Sequence, residues 1–231
     1  MRAYNFSAGP AILPEQVLLE AQSELLDYDK TGMSIMEMSH RGKEYSAVHD
    51  ETIANIKDLL NIPEGYSVLF MTGGATTQFA LAPMNLLLEN QIADYTNSGS
   101  WATKAIKEAK LIGDVNVVAD CAKEIPTRVP DISKSNLTSG AAYLHITSNE
   151  TISGAQWKTF PVTEAPLVAD MSSDILSKPL DINQFGLIYA GAQKNLGPAG
   201  ITLVIIKACC RNTAGFSILK PLLLYQAFLL Q

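Results

Sequence analysis

Seven short apolar runs, each ending at a polar or glycine-rich turn, constrain this chain more than any other feature. They are "SVLFM" (67–71), "IADYT" ending at Thr96, "VNVVA" ending at Ala119, "AYLHIT", "PLVAD", "GLIYA" and "GITLVII" (200–206). Continuous apolar runs of this kind, rather than alternating ones, mark strands buried on both faces. Helical patterns are interleaved with them. From Glu15 to about Lys30 the residues Val17, Leu18, Ala21, Leu25 and Leu26 share a face, with Pro14 suited to the first turn and Gly32 ending the run. Glu44 to Leu60 reads as a second helix, with Val48, Ile53, Ile56, Leu59 and Leu60 inward. A third follows "TGGATT" and is kinked or delayed by Pro83; a fourth opens near Ser100. The alternation predicts an α/β chain with a largely parallel sheet, in which ligands bind at the carboxyl ends of the strands.

The 231 residues suit one large domain, or one with a partial second. Only 17% are charged, against roughly 25% in a typical soluble domain, which predicts surface hidden in an oligomer. The net charge of -6, with no Lys/Arg cluster interleaved with aromatics, argues against nucleic acid. The N-terminus lacks the apolar core of a signal peptide, so a cytoplasmic location is expected. The leucine-rich stretch after Lys207 is interrupted by Lys220 and Pro221 and is too short for a convincing membrane span. Cys121, Cys209 and Cys210, with His40, His49 and His145, have no metal-ligand spacing, and no metal is expected.

The polar residues worth weighing fall at strand ends: Gly73 to Thr76, Ser100 and Trp101, Thr147 to Thr151, Asp170 to Ser173, and Gln193 with Lys194. Gly73, Gly74, Ala75 and Thr76 precede a helix: they read either as a tight turn or as a loop whose amides hold a phosphate, with Thr76 and Thr77 adding hydroxyls or capping. Trp101, after "SGS", either anchors a helix or offers a flat wall to a planar heterocycle. Asp170 ends an apolar strand and needs a partner, since burying an unpaired carboxylate costs several kcal/mol. That partner is a loop group such as Ser172 or Ser173, or a protonated pyridine nitrogen. Lys194, in "YAGAQKNLGPAG", does not fit the phosphate-loop order GxxxxGK[ST], because Asn195 follows it. It is either a solvated turn lysine or an amine nucleophile in a tight, small-residue setting.

The motifs together resemble the phosphoserine aminotransferases, pyridoxal-phosphate enzymes of the aspartate-aminotransferase-like fold (fold type I). The resemblance runs from "NFSAGPAILP" through "MSHRG", "GGAT", "NSGSW", "HITSNETISG" and "VADMSSDI" to "AGAQKNLGPAG", ending near Lys207. It implies a large domain over 1–207 with an N-terminal arm at about 1–14, and pyridoxal 5'-phosphate as cofactor. Lys194 would form the internal aldimine and shuttle the proton; Asp170 would pair with the pyridine nitrogen; Trp101 would stack on the ring; Thr151 would bond the phenolic oxygen. Gly74, Ala75, Thr76, Ser172 and Gln193 would hold the phosphate. His40 and Arg41 would grip the substrate's phosphate across a homodimer with shared sites. The implied reaction exchanges an amino group between L-glutamate and 3-phosphohydroxypyruvate, giving 2-oxoglutarate and O-phospho-L-serine.

The family's chain is about half as long again and adds a small C-terminal domain, which is expected to be absent here. With it would go the arginine that grips the substrate carboxylate and the partner chain's Asn-Thr pair. Residues 208–231 read as an atypical leucine-rich tail, and Thr76 stands where many bacterial relatives carry arginine. Two expectations follow: an aminotransferase, or a shortened homologue that keeps the fold and cofactor binding but turns over weakly or not at all. A nicotinamide dehydrogenase is disfavoured, since no GxGxxG follows a first strand. A cysteine desulfurase is disfavoured too, since Cys209 and Cys210 directly follow a strand.

Overall fold

The structure, a computed structural model, describes residues 2–133 and 136–212. Seven strands form one sheet in the order β1-β7-β6-β5-β4-β2-β3. They are β1 (Tyr66–Met71), β2 (Ile92–Asn97), β3 (Asp114–Asp120), β4 (Leu144–Thr147), β5 (Leu167–Asp170), β6 (Leu187–Gly191) and β7 (Thr202–Lys207). Each matches one of the apolar runs. Neighbours are parallel from β6 across to β3, whereas β7 runs antiparallel to both β6 and β1. β1 is therefore parallel to β6, and Met71 and Gly191 both face Thr202 across the ladder, at one edge of the sheet.

Side chains alternate between two cores. Ile56 and Leu60, at the end of α2 (Lys43–Leu59), pack with Leu144, Ile146, Leu167, Ala169, Ile188, Leu203 and Ile205 on one face. The opposite face joins Tyr95, Tyr143, Val168, Leu187, Tyr189 and Val204 to Phe79 and Leu86 of α3 (Gly74–Leu86) and to Ala105 and Ile106 of α4 (Ser100–Ala109). Burying each large side chain of this kind stabilises by about 1.5–3 kcal/mol, which fixes the sheet between its two layers.

Three local expectations are corrected. The first helix, α1 (Glu15–Glu24), has Pro14 as its N-cap and ends before Lys30; a separate 3-10 turn covers Tyr28–Lys30. None of the α1 residues is buried, and of its apolar face Leu18 lies beside Ala11, Ile12 and Leu13 of the arm. Leu59 of α2 is exposed rather than inward, because the helix turns Ile56 and Leu60 to the sheet. α3 starts at Gly74 and runs through Pro83, so the proline does not delay it. Of the tail, Ala208–Asn212 forms a short helix, α5; what was expected beyond it lies outside the described residues. No helix among the described residues is long and apolar enough to cross a membrane.

Candidate active site

At the carboxyl edge of the sheet a cavity of about 400 Å3 opens between the ends of β1, β4, β5 and β6. Gly73, Gly74, Ala75, Thr76, Trp101, Thr151, Asp170, Ser172, Gln193 and Lys194 all line it. His40 and Arg41 do not. They lie between the 3-10 turn at Ile35–Glu37 and α2, with Arg41 exposed and His40 Nε2 buried without a partner.

Lys194 sits on the hairpin between β6 and β7, where Ala192 N donates to Ile201 O at 2.9 Å. Its Nζ donates to Thr151 Oγ1 and stands 5.3 Å from the centroid of the Trp101 ring. Burial lowers the amine's pKa, while the charges of Asp170 and Glu150 draw it back up. The N-terminal arm crosses directly above: Ala11 N donates to Gln193 O at 2.8 Å, and a Cβ on Gly9 would lie 3.1 Å from Lys194 Cγ. That contact requires glycine or a shift of the lysine stem.

Asp170 closes β5 with its carboxyl buried. Burial pushes its pKa up to about 6, opposed by hydrogen bonds from Ser172 and by the charge on Lys194. Ser172 N and Ser172 Oγ both donate to Oδ1, at 2.9 and 2.6 Å, and Gly191 N donates to Ser172 Oγ at 3.0 Å. The single proton of the Ser172 hydroxyl thus goes to the aspartate, not toward a phosphate. Oδ2 accepts no hydrogen bond among the described residues.

The first turn of α3 supplies free backbone amides at the far end of the cavity. Gly73 and Gly74 have φ of 92° and 67°, values that strain any residue with a side chain. Gly191 permits the close approach of β6, since a Cβ there would meet Ala75 N at 2.9 Å. Thr77 Oγ1 donates back to Gly73 O at 2.8 Å and so faces its own helix rather than a ligand.

Sequence reasoning marked 147–151 as a polar strand end but gave a role there to Thr151 alone; the structure adds roles for Thr147, for His145 with Tyr189, and for Glu150. Thr147, in register with Asp170, lines the cavity with a buried Oγ1 that has no partner. Behind it His145 Nε2 and Tyr189 Oη lie 2.8 Å apart, and His145 stacks on Tyr95 at 4.6 Å. Burial lowers the His145 pKa to about 3, so the ring is neutral. Glu150 is fully buried and binds the start of α4. A period-2 count does place 145, 147, 168, 170 and 189 on one face, which was the available signal for the first two.

The cavity brings together a helix start, an acceptor carboxylate, an amine and an indole. Trp101 Nε1 and Thr147 Oγ1 are buried and have no hydrogen-bond partner among the described residues. This donor set fits a flat, phosphorylated heterocycle that carries a reactive carbonyl.

Residues 3–217 match the family described as aminotransferase class-V. The chain belongs to that family. The chain is 61% identical over 207 residues to the phosphoserine aminotransferase of Niallia circulans, covering 89% of this chain and 57% of the relative. It is 56% identical to that of Halalkalibacterium halodurans, with the same coverage. Among solved structures it matches the phosphoserine aminotransferase from Bacillus circulans subsp. alkalophilus with a TM-score of 0.86 and 60% identity, over 90% of this chain and 58% of the other. A PLP-bound phosphoserine aminotransferase from Trichomonas vaginalis matches with a TM-score of 0.85 and 40% identity, over 90% and 59%. The fold is that of the fold type I aminotransferases, and the chain spans a little over half the length of these relatives.

Proposed function

We propose that the cavity binds pyridoxal 5'-phosphate and that the chain serves an aminotransferase moving the amino group between L-glutamate and 3-phosphohydroxypyruvate. The observation that carries this reading is the meeting of Lys194, Thr151, Asp170, Trp101 and the α3 amides in one cavity. Bound there, the cofactor would supply an electron sink for breaking bonds at the substrate Cα. The remaining work falls to the chain's own residues. Lys194, its pKa lowered, would join the cofactor through its amine and carry a proton once released. Asp170, with Oδ2 free, would hold a proton on the ring nitrogen. Trp101 would stack on the ring, Thr151 would donate to its oxygen, and the amides of Gly74, Ala75 and Thr76 would hold the phosphate, helped by Gln193.

His40 and Arg41 lie off their own chain's cavity, so a grip on the substrate phosphate would come from a second copy in a homodimer. Arginine suits that task because its fork is bidentate to phosphate. The coverage of the relatives supports a second reading, in which the domain over 1–207 keeps cofactor binding without turnover.

The visible spectrum tests the first step: an absorbance band near about 400 nm after incubation with pyridoxal phosphate, lost in Lys194→Ala. A colourless wild-type protein would sink the proposal. A coupled assay with phosphoserine and 2-oxoglutarate separates the two readings; no turnover beside a normal band favours the second.

A further inference from the structure

Glu150 is a buried carboxylate with no role in the reaction just proposed, yet it touches the machinery on two sides. Its residue is 0% exposed, and it pairs with no cation among the described residues. A buried charge needs compensation, and here it comes from the start of α4. Trp101 N donates to Oε2 at 3.0 Å, Ala102 N to Oε1 at 2.9 Å and Ser98 Oγ to Oε1 at 3.4 Å. The α4 N-terminus is thereby filled by the protein's own carboxylate and cannot take the cofactor's phosphate, which leaves the α3 start for that anion. Gly99 makes the approach possible, since a Cβ there would lie 2.7 Å from Glu150 Cδ.

On its other side Glu150 opens a closed turn. Glu150 N donates to Ala155 O at 2.8 Å, and Gly154 N to Glu150 O at 2.7 Å. The next residue in that turn is Thr151, which accepts from Lys194. One side chain therefore joins the backbone that carries the ring platform to the loop that meets the lysine, across about fifty residues of sequence.

We infer that Glu150 is a positioning residue that locks Trp101 and Thr151 in one fixed relation to Lys194. The inference rests on the proposed cofactor reading. Its charge also acts on the amine, raising the Lys194 pKa against burial.

Two variants test it, read by pyridoxal phosphate affinity, by the visible circular dichroism of the bound cofactor and by the melting temperature without cofactor. Glu150→Gln replaces one acceptor oxygen with an NH2 group facing a backbone N–H. It is expected to weaken affinity roughly tenfold and to lose most of the induced dichroism. Glu150→Ala with Gly99→Ser removes the tie but places a local cap at the helix start. It should recover the melting temperature of the wild type while the dichroism stays low, and it serves equally if Glu150→Gln does not fold. Wild-type dichroism in either variant overturns the inference, because Glu150 would then be a helix cap and nothing more. Failure of the wild-type protein to bind pyridoxal phosphate strikes the cofactor reading instead.

Discussion

Helices α1 and α4 are both ten residues long, and both carry apolar residues at helical spacing. α4 buries Ala102, Ala105, Ile106 and Ala109 against the sheet and is capped by a carboxylate from another loop. α1 buries nothing, has no side-chain cap, and leaves Val17 50% and Leu19 57% exposed. The spacing of apolar residues says that a helix forms and which side is sticky. It does not say whether a surface exists to receive that side. Stability and chemistry in this molecule accordingly concentrate at the strand ends, while the N-terminal segment adds little beyond the contact of its arm with Lys194.

The sharpest way to break this contrast is truncation on each side. Ile146→Ala, at a fully buried position of β4, is expected to lower stability by about 2–5 kcal/mol in urea unfolding. A cost below about 1 kcal/mol would mean that the sheet core is not where folding energy resides.

A second test uses acid. Asp170 has a usual carboxylate pKa of 3.8 when unfolded and about 6 when folded. Between those values the folded protein holds a proton that the unfolded chain releases. Its contribution is therefore fully present below about pH 4 and is lost as pH rises through 6, by about 3 kcal/mol. His145 acts oppositely: neutral in the fold down to about pH 3, it destabilises as pH falls below about 6.5. The difference between wild type and Asp170→Asn, measured without cofactor, isolates the aspartate. Parallel pH curves for the two proteins would refute its raised pKa.

Smaller effects should come from the arm. Gly9→Ala sets a methyl against the Lys194 stem and should cost no more than about 1 kcal/mol while changing the pH dependence of Lys194 modification. An unchanged profile would separate the arm from the site. Smallest of all, Leu19→Ala in α1 should stay within about 0.5 kcal/mol; a loss like that of Ile146→Ala would erase the contrast altogether.

All seven strands were legible as short apolar runs, the central β4, β5 and β6 being buried on both faces, and their polar ends marked the edge where the cavity lies. The direction of β7 was not read, since "GITLVII" looks like its parallel neighbours. The signal was in the connection: 192–201 is shorter than the dozen or more residues that a parallel crossover requires. Glu150 fell within the polar strand end at 147–151, but its role was not legible there: only the folded position of α4 makes it a buried acceptor. The shared apolar face read for α1 is not buried, because periodicity carries no information about the partner.

The placement of β7 also governs when the site can exist. β1 has one strand neighbour, β7, although the two lie more than a hundred residues apart. Contacts of such separation form late, because loop closure must precede them, and a nascent chain emerges from its N-terminus first. The glycine turn after β1 therefore waits, with its strand unpaired, until the chain through Lys207 has been made. The helix start that would hold an anion is among the first parts synthesised and among the last to find its place.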